Sequence, residues 1–156
     1  VWDIGAGSGA VAIEAAQLAT GGIVYAIELD VADYHLIVAN AQTFGVKNLT
    51  AIHGMAPAVF DGLPAPDCVF VGGIRQEAAR LLEAAFKAVR PGGRLVVNIA
   101  SLEGLGSVYA ALKEVASPVQ AMLVNIARGT EQLETLRFEA LNPTFLLTVT
   151  KPAART

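Results

Sequence analysis

The chain predicts an α/β fold: an open, mostly parallel seven-stranded sheet with helices on both faces and a C-terminal antiparallel hairpin. Three observations carry that reading. Apolar strand-like runs alternate with segments of helical spacing, which argues for parallel strands joined by crossover helices. The first strand ends in three glycines at alternate positions, Gly5, Gly7 and Gly9, a turn that opens directly into a helix. The last two strands are separated by a polar stretch too short to hold a crossover helix, so they pair antiparallel. The 156 residues are 54% hydrophobic and only 16% charged. They fit one domain spanning 1–156, and parallel strands buried on both faces account for the apolar excess.

Each element follows from its pattern. The first strand ends at Ile4, and its helix runs from about Ala10 to Ala19. The second strand covers Ile23–Ile27. A second helix spans Val31 to Phe44 and stops at Gly45, a residue suited to a left-handed cap. Asn48–His53 forms the third strand and the apolar run Asp67–Val71 the fourth, followed by Gly72-Gly73. The next helix runs from Gln76 to Val89, with Ala78, Leu81, Leu82, Ala85 and Val89 at helical spacing. Pro91-Gly92-Gly93 turns the chain into a strand over Arg94–Ile99. A helix over Leu105–Val115 then leads to two long strands, Val119–Ala127 and Leu136–Val149.

Composition excludes several classes. Cys68 is the lone cysteine and there are two histidines, so neither a disulfide framework nor a metal site is expected, and a reducing cytoplasm fits. Net charge is −3 with no basic run, which argues against a nucleic-acid surface. No apolar stretch approaches the roughly 20 residues of a membrane span. The chain opens at Val1 inside a strand, so we expect an N-terminal segment of the domain to be missing. The apolar composition suggests a homo-oligomer.

The glycine turn is a cofactor cradle. Glycine leaves no Cβ where a nucleotide-like ligand presses on the backbone, and the helix start presents free N–H groups. Its spacing also allows the G-x-G-x-x-A form of dinucleotide sites, with Ala10 in the last place. Two details favour S-adenosylmethionine. The alternate glycines keep the turn open one residue longer, leaving room for an amino-acid moiety. Asp3, at the strand end, suits an ammonium group, directly or through water, and would repel a pyrophosphate. Glu28 ends the second strand 19 residues after Gly9 and can take both hydroxyls of a ribose, a role common to both cofactors. The closing hairpin is the architecture of class I methyltransferases, whereas dinucleotide folds carry a sixth parallel strand.

Val1–Glu14, Val24–Glu28, Val71-Gly72-Gly73, Arg90–Asn98 and Glu139–Pro143 together resemble the decarboxylating precorrin methyltransferases of cobalamin biosynthesis. The resemblance extends over nearly the whole chain. It implies S-adenosylmethionine as cofactor, a tetrapyrrole substrate, methyl transfer to C15 and loss of carbon dioxide from the C12 acetate. It also implies a cofactor site of Asp3, Gly5, Ala6, Gly7, Gly9, Glu28, Leu29, Met55, Ala56 and Gly72. The family's N-terminal helical segment, which packs over the cofactor, is the part we expect to be missing ahead of Val1. Two positions depart from the family pattern. Gly54-Met55-Ala56 stands where the family has Gly-Asp-Ala, which removes a carboxylate partner for the adenine amino group. Ile74-Arg75-Gln76 follows Gly73 where small residues are usual.

Methyl transfer from a sulfonium depends mainly on alignment. The macrocycle itself can take up the electrons of decarboxylation, so the protein's task is to hold a polycarboxylate. Arginine does this bidentately. Arg75 beyond the fourth strand and Arg128 at the end of the sixth are candidates, with Arg137 read as a surface charge. Glu103 orients a substrate nitrogen or caps the following helix. Asn142-Pro143 breaks a long strand, with Asn142 a secondary substrate candidate. His53 reads as structural or solvent-facing, and Trp2 as core. No catalytic residue is assigned. Three alternatives stay open: another small-molecule class I methyltransferase, an NAD-dependent oxidoreductase, or a non-catalytic cofactor-binding domain.

Overall fold

A computed structural model describes residues 1–74 and 78–154. The elements run β1 (Trp2–Ile4), α1 (Ala10–Leu18), β2 (Val24–Glu28), α2 (Val31–Thr43), β3 (Leu49–His53), β4 (Cys68–Val71), α3 (Ala78–Ala88), β5 (Arg94–Ile99), α4 (Leu102–Val115), β6 (Gln120–Val124), β7 (Ala127–Gln132), β8 (Thr135–Ala140) and β9 (Thr144–Thr150). Seven strands form one sheet in the order β3-β2-β1-β4-β5-β9-β6. The first five pair in parallel, and β9 inserts antiparallel between β5 and β6. The α/β sheet read from the sequence is therefore present, with seven strands and an antiparallel closing pair.

Strand register decides which side chains face which layer. Trp2, Val69, Leu95 and Val149 lie abreast, as do Ile4, Val71, Val97 and Leu147. These rows are buried under Leu82 and Ala85 of α3 and Val108 and Leu112 of α4. Trp2 packs its ring 4.7 Å from that of Phe60. Val24 and Ala26 of β2 face the other side, under Ala12 and Ala16 of α1 and Ile37 of α2. Lys151, just past β9, closes the end of α3: its Nζ donates to the carbonyls of Phe86, Lys87 and Val89 at 3.3, 2.7 and 2.7 Å. Those carbonyls have no partner within the helix, so a lysine there both bonds them and complements the helix dipole.

Two expectations need correction. The strands expected over Val119–Ala127 and Leu136–Val149 are four. β6 ends and β9 begins at one rim of the sheet, and β7 and β8 form a separate two-stranded ribbon beyond it. Asn142-Pro143 makes the second break, as the missing proline N–H leads one to expect. The stretch read as a polar loop contains the ribbon's own turn, at Leu133 and Glu134. The other correction concerns α4, which starts at Leu102, three residues before its expected start. Ser101 is its N-cap, accepting from the Gly104 N–H at 3.1 Å. Glu103 therefore sits exposed in the first turn, where an acid complements the helix dipole, and is not the cap.

Candidate functional site

The site is built where β1, β2 and β4 end together. Parallel strands deliver their carboxyl ends to one edge, the usual ligand edge of an open α/β sheet. Asp3, Gly5, Ala6, Gly7, Gly9, Glu28, Leu29 and Gly72 meet there. The Gly5 and Ala6 N–H groups both reach the Ile27 carbonyl, at 2.9 and 3.2 Å, and the Gly72 N–H reaches that of Ile4 at 2.9 Å. Met55 and Ala56 lie on the loop after β3, tied in by the Gly54 N–H donating to the Glu28 carbonyl at 2.9 Å.

The three turn glycines have three different reasons to be glycine. All have positive φ, at 71°, 54° and 84°. A Cβ on Gly5 would collide with the Gly72 carbonyl oxygen, so this glycine lets two backbones touch. A Cβ on Gly9 would press on Ile37 at 3.2 Å, where α2 crosses the N-cap of α1. Gly7 alone of the three has nothing within 4 Å of a Cβ position. It is the glycine that borders open space.

Two carboxylates flank this turn in opposite states. Asp3 is 1% exposed, and its Oδ2 has no partner. Burial pushes its carboxyl up to about 7, against the opposing pull of the Ala12 backbone N–H; the nearby Glu28 charge adds to the rise. Glu28 is instead fully engaged. Its Oε2 accepts from the Gly7 N–H at 2.8 Å, and its Oε1 from the N–H groups of Leu29 and Asp30 at 2.7 and 2.9 Å. The carboxylate thus ties the glycine turn to the end of β2. Asp30 is committed elsewhere, as the N-cap of α2, accepting from Ala32 and Asp33.

Leu29 and Met55 are 56% and 59% exposed, two apolar side chains beside the cradle. Two further side chains anchor this rim: Asn40, which the sequence did not single out, and His53, read there as structural or solvent-facing. Asn40 donates from Nδ2 to the Ser8 carbonyl at 2.9 Å, and the Nε2 of His53 lies 3.0 Å from the Leu29 carbonyl. Only strand register, which pairs Glu28 with His53, would have revealed the second.

The substrate candidates among the described residues lie along the same edge but apart from the cradle. Arg75 falls outside the described residues. Phe145 pairs with Ile99 and Thr144 with Val124, so the β7–β8 ribbon leaves the sheet at the ligand edge, beyond β5. Arg128 is in β7, opposite Glu139, and Arg137 is in β8, opposite Thr130, so both arginines share one ribbon face. Asn142 lies exposed between β8 and β9, and Glu103 in the first turn of α4. Among the described residues no group of acids, histidines or cysteine could hold a metal.

Fold and cradle together define a class I methyltransferase. The chain belongs to the precorrin methyltransferase domain family, whose model matches residues 1–151. It is 33% identical over 148 residues to a probable cobalt-precorrin-6B C(15)-methyltransferase (decarboxylating) of Pyrobaculum calidifontis, covering 94% of this chain and 75% of that one. The crystal structure of a precorrin-6Y C5,15-methyltransferase from Geobacter metallireducens superposes with a TM-score of 0.90 at 33% identity, covering 96% of this chain and 79% of the other. That of a precorrin 8W decarboxylase from Methanobacterium thermoautotrophicum superposes with a TM-score of 0.86 at 29% identity, over 94% and 78%. Family membership decides against the oxidoreductase that glycine spacing alone leaves open.

Proposed function

We propose that this domain transfers a methyl group from S-adenosylmethionine to C15 of a precorrin, with loss of carbon dioxide from the C12 acetate. The family match over 1–151 carries the reading, and the cradle is chemically suited to the cofactor. Gly7 borders open space, the buried Asp3 of β1 keeps one carboxyl oxygen, Oδ2, without a partner, and a ribose-type acid stands 2.8 Å away on the turn's own N–H. S-adenosylmethionine, when bound, supplies an electrophilic methyl group. Asp3 would face its ammonium end, Gly5, Ala6, Gly7 and Gly9 would line it, and Glu28 would take the ribose hydroxyls while keeping its backbone donors. Leu29, Met55 and Ala56 would border the adenine, and Gly72 would lie opposite Gly5.

The macrocycle's acidic arms call for positive charge on the same edge. Arg128 supplies it from the ribbon, with Arg75, Glu103 and Asn142 as further candidates. No described helix is long and apolar enough to cross a membrane, and we place the enzyme in the cytoplasm, without a nucleic-acid partner. We also read it as a homo-oligomer assembled through the ribbon. A lone two-stranded ribbon is at best marginally stable in water. Here Leu136 and Phe138 are 62% and 69% exposed on the face opposite Arg128 and Arg137. That face can be matched by its symmetry mate in a second copy.

The test is turnover with S-adenosylmethionine and cobalt-precorrin-6B or its metal-free counterpart, read by visible spectrum and mass. Expected is a product that has gained one methyl group and lost one carbon dioxide. Methylation of an unrelated small acceptor, with no reaction on either corrinoid, would overturn the substrate assignment and leave the cofactor site standing.

A further inference from the structure

The peptide unit joining Leu29 to Asp30 is held at both ends. Its N–H donates to Glu28 Oε1 at 2.9 Å, and its carbonyl oxygen lies 3.0 Å from His53 Nε2. A carbonyl can only accept, so Nε2 must carry the proton. The imidazole is itself braced: the Tyr34 ring, on the first turn of α2, stands 5.5 Å from it and meets His35 edge-on at 5.3 Å. The end of β3, the turn after β2 and the start of α2 therefore converge on one hydrogen bond. The backbone link from Gly54 to the Glu28 carbonyl joins the same strands but does not touch the Leu29–Asp30 peptide.

We infer that His53 is a positioning residue for the Glu28 carboxylate, and through it for the ribose of the cofactor; this rests on the cofactor reading above. Without the imidazole, the peptide unit loses its anchor at the carbonyl end and its N–H is free to turn away from Oε1. The carboxylate still keeps the N–H groups of Leu29 and Gly7. The loss is therefore partial. One neutral hydrogen bond corresponds to an affinity change of about three- to tenfold.

Calorimetric titration of S-adenosylhomocysteine into wild type, His53→Ala, His53→Gln, Glu28→Ala and the Glu28→Ala/His53→Ala double variant tests this. His53→Ala should bind about three- to tenfold more weakly, and His53→Gln, which restores an N–H at a similar reach, should bind within about twofold of wild type. On the Glu28→Ala background, His53→Ala should add nothing, since a residue acting through Glu28 has nothing left to position. Normal binding by His53→Ala, failure of His53→Gln to restore it, or additive losses in the double variant would each overturn the inference alone. Absence of binding by wild type would bring down the cofactor reading, and this inference with it.

Discussion

The cradle and the ribbon are both connections that leave one edge of one sheet, and they are built on opposite principles. In the cradle, backbone groups meet fixed partners: the Gly7, Leu29 and Asp30 N–H groups converge on one carboxylate, and Gly5 lies against Gly72. In the ribbon, every residue of both strands is exposed. Its single glycine, Gly129, lies only against the flexible ends of Leu136 and Phe138. The cradle is shaped by its own chain, whereas the ribbon is exposed on both faces and is the surface proposed to meet a second copy. Substitutions of similar kind should therefore read out differently in the two places.

The largest expected effect on ligand binding is at Gly7. A valine there would project into open space where the cofactor is proposed to lie, at a φ that β-branched residues avoid. Gly7→Val should bind S-adenosylhomocysteine at least about 100-fold more weakly, more than two hydrogen bonds of ordinary strength account for, while retaining wild-type circular dichroism. Unchanged affinity would put the ligand elsewhere on the edge.

On the ribbon, Phe138→Glu should leave the cradle's affinity for S-adenosylhomocysteine intact and abolish self-association. A second acid on a face that already carries Glu131 opposite Leu136 would bring like charges together and be desolvated in both copies. Light scattering after size exclusion measures it. A monomeric wild type would overturn the assembly reading, and an assembled Phe138→Glu would move the interface off the ribbon.

Legibility in the sequence follows the same division. The cradle could be read because its constraints are local: alternate glycines after a strand and an acid at the next strand's end are dictated by backbone geometry. Core rows such as Trp2 and Val69 were readable because burial imposes a pattern. The ribbon was not. With both faces exposed, Thr130-Glu131-Gln132 carries no burial period, and a turn through Leu133-Glu134 lacks the Asn-Gly signature of tight hairpins. For His53 a structural or solvent-facing reading was available, but not its partner, a backbone carbonyl after the neighbouring strand that no residue type announces.

Asp3 offers an effect on stability, not on ligand binding, with a definite sign. Its carboxyl is raised from 3.8 to about 7 in the fold, chiefly by burial. Between those values the folded state holds a proton that the unfolded chain has lost, so this group's contribution falls as pH rises through the window and is constant above it. Asp3→Asn cannot ionise. Relative to wild type it should gain stability from about pH 4 upward, levelling near pH 7 at about 4 kcal/mol. Urea unfolding of both proteins at pH 4.5 and pH 8 gives the difference. A gap that shrinks with rising pH would show that the carboxylate is stabilised where it lies, by a donor stronger than the Ala12 N–H.

The smallest effect sharpens the comparison most, because it asks whether the ribbon's turn is tolerated against local preference. Leu133 and Glu134 both have positive φ, 48° and 61°, the left-handed conformation of a two-residue hairpin turn that favours Asn-Gly. For residues other than glycine and asparagine this costs roughly 1–2 kcal/mol each. Glycine at the second position returns about 0.5–1 kcal/mol through greater freedom in the unfolded chain. Leu133→Asn with Glu134→Gly should therefore tighten the ribbon by about 1 kcal/mol, with little change in the melting of the main sheet. Slower amide exchange confined to 127–140 is the expected reading. Leu133 is 96% exposed, so its removal sacrifices no packing within the chain. Faster exchange in the double variant would mean that Leu133 is held by a second copy, and the interface would then extend to the ribbon's tip.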